Sequence, residues 1–377
     1  MRILFVSNLF PPDIGGPATH ISRTAEEMYV NGHNVRAVVC CVAKSETKDQ
    51  YPIKRISRHL PVIIRFALVF LWVFVWSLRS DVVYINGLEL PATLASRISR
   101  TRSLLKVVGD FSWEYAIRHE WTDDGIDEFQ NRRYSFRVEL VRWVQRAYCR
   151  MANDLITPSK YVCELVEGWG VPNHRVHVIN NSLARSPKLV IPADMLRDKL
   201  SIDGPIVITV ARLYSWKKID ELIRIANQFS CGATLVIVGD GPERKYLECL
   251  AEKCASRVVF TGAIEQSEVV SYLAAADVFV LNTRYEGMSH VLLEARWAET
   301  PIVTTSVKGN LELLQHEYNA LLVPFGCNRK LYAAVNSILK DPEKGSALAK
   351  RAKDGMEHYS WKRQVRETAE LLASSYL

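Results

Sequence analysis

The chain of 377 residues lacks the patterns that mark secreted, metal-rich or disordered proteins. Its eight cysteines are scattered with no C-x-x-C pair, and Cys249 and Cys254 have no histidine partner at metal-ligand spacing. No short-period repeat or low-complexity segment is present. The start, MRILFVSN, enters a strand-like run without the pattern of a secretory leader. These absences predict a globular protein of a reducing cytoplasm.

Length, composition and charge predict two domains, one of which meets an anionic partner. With 48% apolar and 24% charged residues, the chain can bury two separate cores. The formal net charge of +7 is uneven: residues 1–190 hold 25 Lys plus Arg against 18 Asp plus Glu, whereas residues 191–377 hold 23 of each. The positive excess predicts an anionic surface partner for the first half alone.

The first half begins like a doubly wound α/β domain. A strand over 2–7 leads into a loop over 8–17 with Gly15 and Gly16, then a helix over 18–30 and a strand over 34–42. Further strand-like runs lie at 82–86, 104–109, 155–157 and 176–179.

A polar connector with several prolines separates this set from a second alternating set. The second set of predicted strands lies at 206–210, 234–238, 258–260, 278–281, 302–304 and 320–323, with helices between them. The fold class predicted is α/β, with two Rossmann-like domains facing across a cleft. The predicted segments are a first domain 1–185, a linker 186–204, a second domain 205–358, and a C-terminal helix within 359–377 that crosses back to the first domain.

The most informative stretch is 284–300, RYEGMSHVLLEARWAET. Glu286 precedes a predicted helix, and Glu294 lies within it after seven intervening residues. Gly287 and an N-cap at Ser289 would leave backbone amides free at the helix start, which attracts phosphate. On a helical path the carboxylates would lie about 12 Å apart, beyond the roughly 5–9.5 Å of a sugar hydrolase pair. That spacing suits two hydroxyl-binding groups on an extended ligand, although a surface loop before an ordinary amphipathic helix is an equal reading.

Two cations follow the first strand of the second half. Arg212 and Lys217 lie just beyond it. The guanidinium of arginine binds two phosphate oxygens at once and the ammonium of lysine acts as a single charge, so the pair suits a diphosphate. The turn at 238–244, VGDGPER, contains Gly239 and Gly241, which permit tight backbone turns. Read alone, the two cations have another interpretation, as surface charges beside a helix start.

These motifs together resemble a known family. The runs VARLYSWKKID (210–220), VGDGPE (238–243), FTGAI (260–264), ADVFVLNTRYEGMSHVLLEA (276–295) and PIVTT (301–305) resemble, in order and spacing, those of family 4 glycosyltransferases with the GT-B fold. FPPDIGGPATHI (10–21) and the ITPS to INN stretch (156–181) are similar to the family's first-domain signatures. The resemblance covers essentially the whole chain. It implies transfer of a sugar from a nucleotide diphosphate with retained configuration, and the lack of an Asp-x-Asp run agrees with a metal-independent site that needs no cofactor.

The resemblance also implies a role for each motif residue. Glu286 would contact hydroxyls of the donor sugar, and Glu294 would bind the ribose. Arg212 and Lys217 would neutralise the departing diphosphate, which is the main catalytic effect in such a reaction. The other donor-binding positions implied are loop residues, namely Gly15, Gly16, Ile264, Gly287, Met288 and Ser289.

One position departs from the family pattern. Many members carry His where this chain has Gly109. Asp110 still matches the acidic position and is expected to touch the sugar or the acceptor as a catalytic residue. His119 and Glu114, nearby in an aromatic loop, are the alternatives for the missing group.

Residues 61–78, PVIIRFALVFLWVFVWSL, raise the question of a membrane. A spanning helix, a helix of the first domain's core, and a helix lying in the bilayer interface are the three readings. Two basic stretches favour the interface: Arg97, Arg100, Arg102 and Lys106 in one, and Arg142, Arg146 and Arg150 in the other.

The sequence therefore predicts a cytoplasmic, peripheral-membrane retaining glycosyltransferase that builds a glycan on a lipid-linked or lipid acceptor. Its predicted partners are a nucleotide sugar, that acceptor and an anionic membrane surface at the inner face of the cell membrane. Nucleic acid is not expected, because no recognition motif or aromatic-interleaved basic patch is present. A nucleotide-sugar epimerase, a phosphorylase and a catalytically silent membrane-associated scaffold are the alternatives.

Overall fold

The computed structural model describes residues 1–11, 13, 16–42, 49–183 and 187–374. The chain divides into two compact units. The first unit comprises Met1–Glu114, Asn131–Asn180 and Lys362–Leu377, and the second comprises Tyr115–Gln130 and Asn181–Trp361. Each unit is built on one parallel sheet, so the predicted pair of parallel α/β domains is confirmed.

The first sheet has seven parallel strands in the order β3-β2-β1-β4-β5-β6-β7. Their bounds are β1 Arg2–Ser7, β2 Asn34–Cys41, β3 Ile53–Ser57, β4 Val82–Asn86, β5 Arg102–Lys106, β6 Asp154–Thr157 and β7 Val176–Val178. The helices of this half of the chain are α1 Gly16–Val30, α2 Val62–Ser77, α3 Glu89–Ile98, α4 Phe111–Arg118, α5 Ile126–Asn131, α6 Phe136–Met151 and α7 Lys160–Gly168.

The second sheet has six parallel strands in the order β10-β9-β8-β11-β12-β13. Their bounds are β8 Ile206–Val210, β9 Thr234–Val238, β10 Val258–Gly262, β11 Val278–Leu281, β12 Ile302–Thr305 and β13 Leu321–Val323. The helices are α8 Ala193–Leu200, α9 Ile219–Ile225, α10 Arg244–Ala251, α11 Val269–Ala274, α12 His290–Trp297, α13 Lys308–Leu311, α14 Asn328–Leu339, α15 Pro342–Lys353 and α16 Trp361–Ala373. Helix α8 occupies part of the segment that the sequence predicts to be a linker.

Both faces of the second sheet are covered, which explains its unbroken apolar strands. Along β8, Ile206 and Ile208 belong to one buried cluster and Val207 to the other, because successive side chains point to opposite faces. Continuous apolar runs are the sequence pattern of such doubly covered parallel strands.

Strand β3 is absent from the sequence-based prediction, and its composition gives the reason. It reads IKRIS, lies at the edge of the first sheet, and buries only one of its five residues. Charged side chains are common on edge strands because they discourage pairing with other chains. A period-2 apolar pattern is therefore missing.

The C-terminal helix α16 belongs to the first unit and is bonded to it at its end. Arg102, at the start of β5, donates from Nη1 to the carbonyl oxygens of Leu371 and Leu372, each at 3.1 Å. These carbonyls lie in the last turn of α16, where helix carbonyls lack partners within the helix. A cation at this position also suits the negative end of the helix dipole.

Candidate active site

The strand order of the second sheet places two loops next to each other. From β8 the order runs to β9 and β10 on one side and to β11, β12 and β13 on the other. Ligands of open parallel sheets bind at the carboxyl ends of strands where the order reverses in this way. Arg212 and Lys217 follow β8, and Glu286 to Ser289 follow β11. The fold therefore gathers these predicted donor residues at its favoured ligand position.

An ion pair joins these two loops. Lys217 Nζ contacts Glu286 Oε1, and the two side chains are only 16% and 11% exposed. The backbone reinforces the contact, since the Arg284 N–H donates to the Trp216 carbonyl oxygen at 2.9 Å. Sequence reasoning assigns the two groups to different parts of a donor, and the structure adds that they bind each other directly.

Gly309 provides the space in which the Glu286 loop lies. A Cβ at this position would be 2.0 Å from the carbonyl oxygen of Glu286 and 3.0 Å from that of Gly287. Only glycine allows so close an approach of two backbone segments. The start of α13 therefore fixes the position of the loop.

A buried network of polar side chains holds the backbone just before this loop. Thr283 Oγ1 donates to the Tyr285 carbonyl oxygen at 2.9 Å, and Thr305 Oγ1 donates to the Thr283 carbonyl oxygen at 2.6 Å. Asn310 Nδ2 donates to Thr304 Oγ1 and to the Thr305 carbonyl oxygen at 2.9 and 3.0 Å. Networks of this kind restrict a loop to one conformation.

Met288 is held by a residue from outside the sheet. Asn181 Nδ2 donates to the Met288 carbonyl oxygen at 3.0 Å, and the Asn181 N–H approaches Met288 Sδ at 3.3 Å. The Met288 side chain is buried and belongs to the core cluster beneath α12. This contact explains why the INN stretch belongs to the same set of motifs.

Glu294 is a buried carboxyl on α12. It is 7% exposed, and Gln266 Nε2 donates to its Oε1. Burial raises the pKa of Glu294 to about 8, while the Gln266 hydrogen bond opposes this rise. Ser289 occupies the N-cap position, but its side chain accepts no hydrogen bond from the backbone amides of the first turn.

Arg212 lies over an aromatic pair. Its Cζ atom is 5.2 Å from the centroid of the Tyr214 ring, and Tyr214 stacks on Trp216 at 4.5 Å between centroids. The guanidinium is exposed to solvent and is oriented by a cation–π contact. It is therefore available to an anionic ligand without first breaking an ion pair of its own among the described residues.

The turn after β9 packs directly against this cationic loop. A Cβ on Gly239 would lie 2.0 Å from the Ala211 carbonyl oxygen, and one on Gly241 would lie 2.6 Å from both the N and O atoms of Leu213. Two backbone bonds complete the contact: Leu213 N–H to Asp240 O at 3.0 Å, and Glu243 N–H to Leu213 O at 3.1 Å. The two glycines in the VGDGPER turn therefore allow close backbone packing.

Comparisons with known proteins agree with this arrangement. Residues 15–182 match the model described as a glycosyl transferase 4-like domain, and residues 194–355 match glycosyl transferases group 1. The chain belongs to the family 4 glycosyltransferases.

Individual relatives in this glycosyltransferase family are distant. An uncharacterized glycosyltransferase of Methanocaldococcus jannaschii is 34% identical over 171 residues, which is 44% of each chain, so the match spans less than half of that relative. The lipopolysaccharide core biosynthesis glycosyltransferase LpsE of Rhizobium meliloti is 29% identical over 71% of this chain and 80% of its own length. The structure of Anabaena HepE in complex with UDP and glucose has a TM-score of 0.79 at 21% identity, covering 99% of this chain and 100% of that one. This likeness establishes the GT-B fold.

The remaining predicted site residues of this glycosyltransferase have different surroundings. Ile264 is half-buried and packs against the core cluster that contains Met288. Gly16 is the first residue of α1, which begins two residues before the predicted helix start at residue 18, and Gly15 lies outside the described residues.

Asp110 belongs to the first unit and is almost fully buried, at 1% exposed. It accepts hydrogen bonds from Ser112 Oγ at 2.6 Å and from the Trp113 N–H at 3.0 Å, at the start of α4. This is the bonding of a helix N-cap. Asp110 thus has a structural role that sequence reasoning missed, while its catalytic role stays a prediction.

The segment Tyr115–Gln130 was not expected in the second unit. Its chain position is within the first half of the sequence, yet Asp127 Oδ1 pairs with Lys308 Nζ at 2.9 Å beside Gly309. Tyr115, His119 and Trp121 form a small aromatic group in the same segment. Its charges and aromatics had no periodicity that would indicate this location.

The second basic stretch is used mainly for internal bonds. Arg142 is buried and donates from Nη1 to the Arg132 carbonyl oxygen at 2.9 Å and to Glu139 at 2.8 Å. Arg150 donates twice to the carbonyl oxygen of Trp169. Arg142 is therefore not available to an anionic surface, whereas Arg150 is exposed.

The first basic stretch divides between the interior and the surface. Lys106 is buried, and Arg102 pairs with Asp154 at 2.8 Å. Arg97 and Arg100 are exposed. Only the last two remain available to an anionic surface.

Helix α2 is packed on one side and open on the other. Val69 and Val73 are fully buried, whereas Ile63 is 84% exposed. With 16 residues α2 is short, and among the described residues no helix combines the length and apolar content needed to cross a bilayer. Other exposed apolar side chains lie on α2 itself, on α3 and on α6, namely Leu71, Val75, Leu94, Ile98, Phe136, Leu140 and Trp143.

Proposed function

We propose that this protein is a retaining glycosyltransferase that moves a sugar from a nucleotide diphosphate sugar to a glycan or lipid-linked acceptor at the inner face of the cell membrane. The observation that carries the proposal is the Lys217–Glu286 ion pair at the strand-order reversal of the second sheet, with Glu294 on the helix that follows. These groups support a site with a cation for phosphate and two carboxyls for hydroxyls.

Each of these groups would bind a different part of the donor. The diphosphate takes the ammonium of Lys217 and the guanidinium of Arg212, which neutralise the negative charge that grows as the bond to the sugar breaks. The Glu286 carboxylate accepts hydrogen bonds from sugar hydroxyls, and Glu294 accepts them from the ribose. The backbone amides at the start of α12 add partial positive charge near the phosphates.

The same groups support transfer with retained configuration. The bond from the anomeric carbon to the phosphate oxygen breaks, and the acceptor oxygen bonds to that carbon on the same face. The departing phosphate oxygen takes the acceptor's proton, so no protein base is required. The absence of an Asp-x-Asp run, together with Arg212 and Lys217, supports a reaction without a metal ion.

A lipid-linked acceptor is supported by the first unit's surface. Ile63 on α2, Phe136 and Trp143 on α6 are 84%, 80% and 66% exposed, which is unusual for large apolar side chains. Exposed Arg97 and Arg100 add positive charge. Apolar and cationic side chains together favour anionic lipid surfaces. LpsE, a lipopolysaccharide core enzyme by its name, makes glycolipid acceptors the first class to test.

The activity is tested with a panel of nucleotide sugars, beginning with UDP-sugars because HepE binds UDP. Transfer to a glycolipid acceptor is expected from at least one donor, with the donor's anomeric configuration in the product by NMR, and unchanged by EDTA. Glu286→Gln is expected to lower the rate at least 100-fold, whereas Glu252→Gln, at an exposed helix end, leaves it unchanged. Nucleotide-sugar binding without transfer would instead favour the silent scaffold, and donor conversion without acceptor would favour an epimerase.

The membrane part is tested separately by vesicle flotation. The protein is expected to float with vesicles containing 30% phosphatidylglycerol and to remain unbound with phosphatidylcholine alone. Phe136→Ser with Trp143→Ser is expected to reduce binding at least fivefold, while Met195→Ser, an exposed apolar residue of the second unit, has no effect. Equal flotation of all three proteins would contradict the membrane assignment.

A further inference from the structure

Lys106 is a buried amine that the proposed donor site does not use. It is the last residue of β5 and is 6% exposed. Its Nζ atom lies 3.0 Å from Nε2 of His20, which is also buried on α1. No carboxylate pairs with this amine among the described residues.

An isolated buried ammonium is unfavourable, and the protein responds by favouring its neutral form. Burial alone lowers the pKa of Lys106 to about 7. Natural proteins rarely bury lysine without a partner carboxylate. The position is therefore well suited to an anion that arrives with a ligand.

The surroundings of Lys106 are those of a ligand position. It lies at the carboxyl end of its strand, the edge at which parallel sheets bind ligands. Two residues later, Val108 is 51% exposed, so the chain reaches solvent directly after the buried amine. Helix α1 begins at Gly16, four residues before His20, and its first amides lack helical partners.

We propose that Lys106 and His20 bind a phosphate group of a substrate at the carboxyl edge of the first sheet. A tetrahedral phosphate has enough oxygens to accept from both side chains, and lysine is a common point-charge partner of phosphate. Binding of the anion favours the ammonium, so the amine takes up a proton when the phosphate binds. This inference rests on the proposed function, in which both the nucleotide donor and a lipid-linked acceptor carry phosphate.

The test measures proton uptake on ligand binding. Titration calorimetry at pH 8.5, in two buffers of different ionisation enthalpy, uses UDP in one arm and farnesyl phosphate in detergent in the other. Wild-type protein is expected to take up close to one additional proton compared with Lys106→Met in one arm, and the substitution is expected to weaken binding there at least tenfold. The arm that responds identifies the source of the phosphate, and farnesol is the uncharged control for the lipid.

A matched variant and a transfer assay keep the outcomes distinct. Lys54→Met removes a lysine that lies over Trp72 in the same unit and is expected to behave as wild type in both arms. Equal affinity and equal proton uptake in wild type and Lys106→Met, in both arms, would overturn the inference even if sugar transfer is observed. Lysine-dependent proton uptake without any sugar transfer would retain the phosphate site and reject the proposed function.

Discussion

Lys217 Nζ and the Glu286 carboxylate are bonded to each other at the strand-order reversal of the second sheet. Under the proposed mechanism a donor needs Lys217 at its diphosphate and Glu286 at its sugar. The carboxylate therefore competes with the phosphates for the same ammonium. Binding of a whole donor satisfies both groups, whereas a nucleotide without sugar satisfies only the lysine.

This competition predicts opposite effects of two substitutions on UDP binding. Glu286→Gln frees the ammonium and is expected to leave the dissociation constant for UDP unchanged or to tighten it by up to tenfold, about 1.4 kcal/mol. Lys217→Met is expected to weaken UDP binding by at least tenfold. Both are expected to lower transfer by about 100-fold or more. Calorimetry and steady-state rates measure these quantities, and a Glu286→Gln that loses UDP as strongly as Lys217→Met would contradict the competition.

Gly309→Ala is expected to lower activity through backbone displacement. The new Cβ would need to occupy a position 2.0 Å from the Glu286 carbonyl oxygen, so the 286–287 loop or α13 must move. A displacement near 1 Å at a substrate-positioning loop can lower rates about 100-fold. The control is Gly168→Ala in α7, where a Cβ meets nothing within 4 Å and activity should be unchanged. Steady-state kinetics with circular dichroism of both variants checks the expectation.

The buried carboxyl of Glu294 predicts a pH-dependent stability. Its folded pKa, about 8, is above its unfolded value of 4.5, so the native state binds more protons than the unfolded state between these limits. Stability from this group is therefore present below pH 4.5 and is lost as pH rises to 8, by up to about 1.4 kcal/mol per pH unit. The melting temperature of wild type should fall more between pH 6 and 8.5 than that of Glu294→Gln. Parallel melting curves for the two proteins would show that the carboxyl is ionised throughout.

Arg142 is expected to stabilise the first unit rather than to bind lipid. Arg142→Ala leaves the Arg132 carbonyl oxygen and Glu139 without this donor and removes buried packing, at a cost of about 2–4 kcal/mol. Arg137→Ala, one turn earlier and exposed, should change stability by less than about 0.5 kcal/mol. Urea unfolding measures both. An Arg142→Ala variant with unchanged stability and lost vesicle binding would instead support lipid binding by the second basic stretch.

Much of the second unit could be predicted from the sequence because its strands are buried on both faces. Runs such as those of β8 and β9 are apolar except for one threonine each and end at glycine or cation motifs, so both the kind of element and its bounds can be predicted. The edge strand β3 could not be predicted, since its charged composition reflects its exposed edge rather than a covered face.

The site could be predicted as a set of residues but not as a set of contacts. Glu286 and Lys217 are 69 positions apart in the sequence, and only the pairing of β8 with β11 brings their loops together. Gln266 beside Glu294 had no distinguishing pattern, because a glutamine after a strand is usually a surface residue. The burial of Lys106 and Arg142 could not be predicted either. Periodicity shows which residues share a face of a helix or strand, but not which other elements cover that face.

Helix α4 starts in one unit and ends in the other, and 115–130 is a piece of the second unit encoded inside the first half of the gene. A hybrid made by a single crossover with a relative near residue 181 would therefore join the remainder of the native second unit to a foreign 115–130 segment. The ion pair between Lys308 and Asp127 would then be kept only if the relative also has an acidic residue at position 127. Exchanging the two units intact requires four junctions instead of one, at 114/115, 130/131, 180/181 and 361/362, which limits the ways in which the two units can be recombined.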